Sequence, residues 1–128
     1  MKSTVFLNLM LIALFSGFLS SAQTQKEAKV QAYYFHGQFR CETCRTVESE
    51  AKQNLKELYG DKVSFQALNL EEKANQEIAK KLKVSGQTLL VVNGEKQVNL
   101  TNEGFLYAVT NPNKFKSVIK EKVDPLVN

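Results

Sequence analysis

Two cysteines, Cys41 and Cys44, are the only thiols in the 128-residue chain, and two residues separate them. They follow an apolar run at residues 30–35 and open a segment whose apolar residues recur at helical spacing. A cysteine at the start of a helix lies beside unpaired amide groups and the positive end of the helix dipole, which favour the thiolate. Because the thiolate is the nucleophile in disulfide exchange, the pair predicts thiol–disulfide chemistry.

Two other uses of the cysteine pair stay open. A purely structural disulfide would close a very short loop, and the entropic stabilisation grows with the length of the loop. A structural zinc site takes four ligands, whereas Cys41, Cys44 and His36, the only histidine, supply three. We predict no metal or other cofactor, and we keep a copper or zinc carrier and a non-catalytic binding module as alternatives.

The first 22 residues have the composition of a secretory signal peptide. Lys2 gives a positive start, residues 5–19 are largely apolar, and small residues follow at positions 20–22. The apolar run is shorter than the roughly 20 residues that span a bilayer. The sequence therefore predicts cleavage after Ala22 and an exported protein, periplasmic or secreted, with no stable membrane span in its mature form.

Two parts follow the predicted cleavage site: a flexible polar tether at residues 23–29 and one domain at residues 30–128. Loss of Lys2 takes the formal net charge from +4 to about +3, and the remaining lysines are interspersed with acidic residues. This mild, dispersed charge argues against a nucleic-acid-binding surface. We expect a monomer whose partner is a protein disulfide or dithiol.

The hydrophobic pattern predicts the order β-α-β-α-β-β-α, an α/β class. Strands are expected at residues 30–35, 63–68, 88–92 and 97–100, and helices after Cys41 to about Tyr59, after a cap at Asn69, and from Pro112 onward, with a short extra helix around 105–109. The Asn93-Gly94 dipeptide is typical of a hairpin turn. A right-handed crossover makes the first two strands parallel, the last two are antiparallel, and helices cover both faces of the four-stranded mixed sheet.

This order of elements, with C-x-x-C after the first strand, resembles the thioredoxin superfamily over essentially the whole mature chain. More narrowly, Y-F-H-G at residues 34–37 and R-C-E-T-C-R at residues 40–45 are similar to the ArsF-type family of nitrophenyl-compound nitroreductase components. The resemblance implies a thioredoxin-like fold and a redox-carrier role. It also implies that Cys41 is the attacking sulfur and Cys44 the resolving one.

The sequence departs from ordinary thioredoxins at two places. Gln87 stands where thioredoxins have a cis-proline, and a cis bond before glutamine would cost roughly 2.5–4 kcal/mol, so we expect a trans bond. Residues 30–35 contain no acidic residue to act as a proton relay. We predict that an altered partner groove is lined by Phe39, Gln87 and Thr88. The side-chain amide of Gln87 could form a hydrogen bond near the sulfurs. We therefore expect a poor general reductase that serves one partner.

Four polar residues around the cysteines are candidates for proton transfer or for tuning the thiol pKa. Arg40 and Arg45 favour the thiolate, whereas Glu42 opposes it. His36 is a candidate proton donor or acceptor, the alternative being a loop histidine with one backbone hydrogen bond. The tyrosines at positions 33–34 are expected to pack in the core.

Overall fold

The structure is a computed structural model that describes residues 28–128. The predicted signal peptide at 1–22 and most of the predicted tether lie outside the described residues. Within residues 28–128, no helix has the length and apolar character needed to cross a membrane.

In the part of the chain that the structure describes, four strands form a single mixed sheet in the order β2-β1-β3-β4. The strands are β1 (Val30–His36), β2 (Val63–Asn69), β3 (Thr88–Asn93) and β4 (Lys96–Asn99). β1 is parallel to β2 and antiparallel to β3, and β3 is antiparallel to β4. The predicted strand directions are therefore confirmed.

Within the described residues, four α-helices connect or follow these strands: α1 (Glu42–Tyr59), α2 (Lys73–Lys81), α3 (Thr101–Tyr107) and α4 (Pro112–Val127). A 3₁₀ turn, Gly60–Lys62, lies between α1 and β2. α1, α3 and α4 supply the main core on one face of the sheet, and α2 packs with a smaller cluster on the other. The predicted α/β class and thioredoxin-like fold, with helices on both faces, are confirmed.

Side chains of β1 alternate between the two cores, as the strand period of two requires. Tyr34 is fully buried in the main cluster, while Phe35, equally buried, packs with Leu68 and Ala79 in the smaller one. β1 lies between β2 and β3, and a hydrophobic cluster covers each of its faces. These contacts fix the position of the C-terminal end of β1. The loop that carries the cysteines starts from this end.

Local sequence explains where the long helices begin and end. Cys41 is the N-cap of α1, and Gly60 follows the helix with φ +56°, a conformation that favours glycine. Asn111 caps α4 by accepting from the Lys114 amide at 3.1 Å, and Pro112 occupies the first turn. The hairpin between β3 and β4 turns at Gly94, whose φ is +61°.

The predicted cap at Asn69 is wrong. α2 begins at Lys73 with Glu72 at its N-cap position, and no side chain caps it. Asn69 is instead the last residue of β2, where its Oδ1 accepts from the Glu71 amide at 3.0 Å and closes a turn. The Asn75 side chain then donates to the Asn69 carbonyl at 3.0 Å, so the turn is fixed from within α2.

Candidate redox site

Cys41 and Cys44 lie where β1 leads into α1, after a short loop that leaves the centre of the sheet. They form a disulfide, with Cα atoms 5.0 Å apart. Cys41 is exposed, whereas Cys44 is 7% exposed and is part of the core. One cysteine of the pair is therefore exposed at the surface and the other is buried.

The sulfur of Cys41 takes the place of a capping oxygen at the start of α1. Its Sγ accepts from the backbone amide of Cys44 at 3.1 Å, and the Cys41 carbonyl accepts the Arg45 amide at 3.1 Å. Cys41 thus occupies the position where helix amides and the helix dipole stabilise negative charge. When the disulfide is reduced, this placement favours a thiolate on Cys41.

A chain of side-chain hydrogen bonds reaches the pair from the sheet. The Gln87 amide nitrogen donates to the Tyr34 hydroxyl, and that hydroxyl donates to the Cys44 carbonyl at 3.0 Å. The Gln87 Oε1 lies 3.8 Å from the Cys44 sulfur. β1, the segment before β3, and α1 therefore meet at the covered cysteine.

Tyr34 has a place in this site that sequence reasoning missed. Its ring is in the core, as expected, but its hydroxyl is directed to the backbone of Cys44. Burial raises the pKa of Tyr34, against the opposing effects of the Gln87 hydrogen bond and the charge of Arg40, so the hydroxyl keeps its proton near neutral pH. The signal was the residue type, because a buried tyrosine needs a partner for its hydroxyl and a phenylalanine does not.

His36 is the last residue of β1 and is half-buried. Its Nδ1 lies 2.8 Å from the Gly37 carbonyl, a single local backbone contact, but the predicted loop position is wrong because His36 pairs with Asn69 in the sheet. The ring also lies beside Tyr34, with centroids 6.2 Å apart. The role of His36 in proton transfer stays a prediction.

The charged candidates differ in their surroundings. Arg40 forms an ion pair with Glu48, further along α1, so its guanidinium has a carboxylate partner of its own. Glu42 and Arg45 are exposed in the first turn of α1. Their predicted opposing effects on the thiol pKa stay predictions.

The three residues of the predicted partner groove lie on two segments. Phe39 is 97% exposed, in the loop two residues before Cys41. Gln87 follows a trans peptide bond, and Thr88 begins β3 with its hydroxyl donating to the Gly86 carbonyl at 2.9 Å. Gln87 thus reaches the pair through its side chain, while Phe39 points a large apolar surface into solvent.

The metal alternative gains no support from the described part of the chain. No group of three or more histidine, cysteine, aspartate or glutamate side chains within residues 28–128 is placed to hold a metal ion.

Together, the sheet order and the Cys41–Cys44 pair define a protein of thioredoxin-like fold with a C-x-x-C disulfide, which supports a thiol redox role in general terms. Among solved structures, the chain is similar to one described as a malarial protein, at 20% identity and TM-score 0.50, covering 73% of this chain and 97% of the other. It is also similar to thioredoxin-2 of the malaria parasite, described as a component of protein secretion machinery. That match has 18% identity and TM-score 0.48, and covers 72% of this chain and 82% of the other. No protein-family model and no curated protein sequence matches the chain.

Proposed function

We propose that this protein is an exported thiol–disulfide oxidoreductase or electron carrier that works through Cys41 and Cys44 and serves a specific protein partner. The observation that supports this most directly is the unequal burial of two bonded sulfurs at a helix N-terminus. Cys41 is accessible and placed where a thiolate is stabilised, while Cys44 is covered and one turn away. That asymmetry suits an attacking and a resolving thiol.

The exchange cycle follows from this assignment. In the reduced protein, the Cys41 thiolate attacks one sulfur of a partner disulfide, and the other partner sulfur leaves as a thiolate that takes up a proton. Cys44 then loses its proton and attacks Cys41, which breaks the mixed disulfide and releases the second partner thiol. Two electrons pass from the pair to the partner; in the opposite direction the same steps oxidise a partner dithiol.

Selectivity for one partner is supported by the surroundings of the pair. A trans bond before Gln87 gives a different backbone edge from that of a cis-proline, so extended peptides should bind weakly. Phe39 offers an apolar surface beside Cys41 for a docked partner. The narrower resemblance to the ArsF-type family has no matching family model, and the proposal includes no nitro-compound substrate.

Single-cysteine variants test the proposal. Cys41→Ser should abolish disulfide exchange, whereas Cys44→Ser should accumulate mixed disulfides through Cys41 that reducing agent releases. Non-reducing electrophoresis with mass spectrometry of the linked peptides distinguishes the two variants. Equal trapping by both variants would show that the nucleophile assignment is wrong.

The reduction potential of the pair sets the direction of electron flow. A value near −270 mV, about that of thioredoxin, would define a reductant, and a value near −120 mV, about that of DsbA, an oxidant. Equilibration with glutathione buffers, followed by alkylation and intact-mass measurement, gives this value.

A non-catalytic binding module is the second candidate, because two features expected of an efficient reductase are missing. The bond before Gln87 is trans, and β1 carries no acidic residue. Acceleration of insulin reduction by dithiothreitol separates the two: a binding module gives none, while a partner-specific enzyme gives slow turnover together with Cys41 mixed disulfides. Turnover equal to that of a common thioredoxin would contradict the proposed selectivity.

Export and a monomeric state are parts of the same proposal. Export is supported by the signal-like composition of residues 1–22, and the intact mass of protein from an exporting cell should correspond to a chain that begins at Gln23. A retained N-terminus in a membrane fraction would contradict cleavage. Light scattering of the processed protein should give the mass of one chain.

A further inference from the structure

The side-chain amide of Gln87 has only one orientation that satisfies its neighbours. The Cys44 carbonyl can accept but cannot donate, so the Tyr34 hydroxyl must use its single proton on that carbonyl. Tyr34 can then only accept from Gln87, which places the amide nitrogen on the hydroxyl. The Gln87 Oε1 is consequently turned toward the Cys44 sulfur.

In the disulfide this oxygen faces a sulfur that carries no proton. The Oε1–Sγ distance of 3.8 Å is within the reach of a hydrogen bond from a thiol, but a bonded sulfur has nothing to donate. Reduction supplies the missing donor, because the Cys44 thiol then carries an S–H within reach of an acceptor that is already positioned. The oriented acceptor therefore discriminates between the two redox states.

We propose that Gln87 accepts a hydrogen bond from the Cys44 thiol in the reduced protein, and that Tyr34 is the positioning residue that keeps the amide oxygen in place for it. The inference rests on the proposed redox function. It adds a residue that holds the resolving thiol protonated and in place, at the position where thioredoxins have a cis-proline.

The reaction balances with a partner dithiol as the reductant. The Cys41–Cys44 bond breaks, a disulfide forms between the two partner sulfurs, and two electrons enter the pair. The two protons of the partner thiols go to the Cys44 sulfur, which donates to Gln87, and to Cys41 or, where Cys41 stays a thiolate, to water. Because the bond to Gln87 exists only after reduction, it favours the reduced form.

Two substitutions of Gln87 should act in opposite directions. Gln87→Met keeps the length of the side chain and removes the acceptor, so the Cys44 thiol should lose its proton at lower pH. Gln87→Glu keeps an oxygen and adds negative charge beside the sulfur, so the pKa of Cys44 should rise. The added charge raises the pKa whether or not Gln87 accepts a hydrogen bond, so the Met variant decides: a role in packing alone gives no reason for the pKa of Cys44 to fall in Gln87→Met.

The pKa of Cys44 is best measured in a Cys41→Ser background, where it is the only thiol in the chain. The chemical shift of the isotope-labelled cysteine Cβ follows its ionisation without interference from tyrosine. This measurement needs no exchange activity, so it tests the hydrogen bond even if the proposed redox function is wrong. Equal pKa values for Gln87 and the Met variant would overturn the inference.

The second measurement is the glutathione equilibrium of the chain with both cysteines. Gln87→Met should shift it toward the disulfide by about 2- to 5-fold, the lower part of the range for one hydrogen bond, because a thiol is a weak donor. Tyr34→Phe should shift it in the same direction, and in the double variant the two effects should not add, because Tyr34 acts through Gln87. Leu106→Met, on the exposed surface of α3, is the control.

The outcomes separate the two proposals. If the unchanged chain fails to equilibrate with glutathione, the proposed redox function fails, and the Cys44 titration still decides the hydrogen bond. If it equilibrates but Gln87→Met leaves both the equilibrium and the pKa unchanged, only the role of Gln87 is wrong. Additive effects of Tyr34→Phe and Gln87→Met would contradict the positioning role of Tyr34.

Discussion

A tyrosine hydroxyl holds each end of α1, but the two tyrosines lie in different surroundings. At the first turn, Tyr34 of β1 is fully buried and donates to the Cys44 carbonyl. At the last residue, Tyr59 is half-buried and donates to the Asp124 carboxylate of α4 at 2.6 Å. The first contact fixes the backbone of the disulfide-bonded pair, whereas the second joins two helices at the surface.

The electrostatic causes separate the two tyrosines further. Burial raises the pKa of both, but a neutral amide and the charge of Arg40 oppose the effect at Tyr34, while the Asp124 carboxylate reinforces it at Tyr59. Asp124 also forms an ion pair with Lys120, with Oδ2 and Nζ 2.7 Å apart. The Asp124 carboxylate therefore keeps a partner if the Tyr59 hydroxyl is removed. We call the end of α1 beside Cys41 and Cys44 its redox end and the end at Tyr59 its far end. Loss of the tyrosine hydroxyl should therefore reduce stability more at the redox end than at the far end.

The largest loss of stability is expected from Gly104→Ala, because the added methyl group would collide with a side chain in the first half of α1. A Cβ at Gly104 would lie 2.8 Å from Cγ1 of Val47, a fully buried residue one turn after Cys44. Overpacking of this kind costs about 1–3 kcal/mol in the free energy of unfolding. Denaturant unfolding measures it.

The control for this prediction is Gly37→Ala, since a Cβ there meets nothing within 4 Å. Adding Val47→Ala to Gly104→Ala should give a double variant that is more stable than the sum of the two single losses predicts. Simple additivity would show that the contact between Val47 and Gly104 is not the cause.

Tyr34→Phe is expected to have the next largest effect. It leaves the buried Cys44 carbonyl without the Tyr34 donor, at a cost of about 1–2 kcal/mol. The same deletion at the other end, Tyr59→Phe, should cost less, because Asp124 keeps Lys120 and is open to water. Tyr59→Phe should also leave the glutathione equilibrium of the Cys41–Cys44 pair unchanged. Equal losses for the two variants would contradict the difference between the two ends.

Local sequence was sufficient to predict the strand and helices that position the Cys41–Cys44 pair. The apolar run at 30–35, the glycine at 60 and the proline at 112 correctly predicted β1, the end of α1 and the start of α4. Strand burial, positive φ and a missing amide proton are local requirements. Tyr34 was predicted to pack in the core, which its ring does, but periodicity cannot say which backbone atom a buried hydroxyl reaches.

The error at Asn69 and the omission at Tyr34 share a physical origin. Asparagine is a residue type that commonly caps helices. Asn69 nevertheless stays in β2, because it pairs with His36 of β1, and α2 starts further along the chain, at Lys73. The hydrogen bonds of Gln87 join segments more than forty residues apart. Contacts of this kind depend on the completed sheet and have no local signature.

Acid should weaken the tyrosine contact at the far end of α1 and leave the contact at the redox end unchanged. Hydrogen bonds from Lys120 and Tyr59 lower the pKa of Asp124 below its ordinary value of 3.8. The stabilisation is therefore present above that value and is lost as the pH falls through the lowered pKa of the folded protein. The difference in stability between Tyr59→Phe and the unchanged chain should shrink below about pH 4. The difference for Tyr34→Phe should persist, since its hydrogen bonds involve an amide and a carbonyl, which do not titrate there.

The smallest effect is expected from Lys120→Gln, which removes the i,i+4 ion pair with Asp124 on the surface of α4. Exposed pairs of this kind contribute little and are screened by salt. Tyr59 still donates to Asp124 in this variant, so the contact between α1 and α4 should remain. We expect a small decrease in thermal midpoint at low ionic strength that disappears at high salt, with no change in the reactivity of Cys41. A decrease as large as that of Tyr59→Phe would show that the lysine contributes as much as the tyrosine at the far end of α1, and would contradict this ranking.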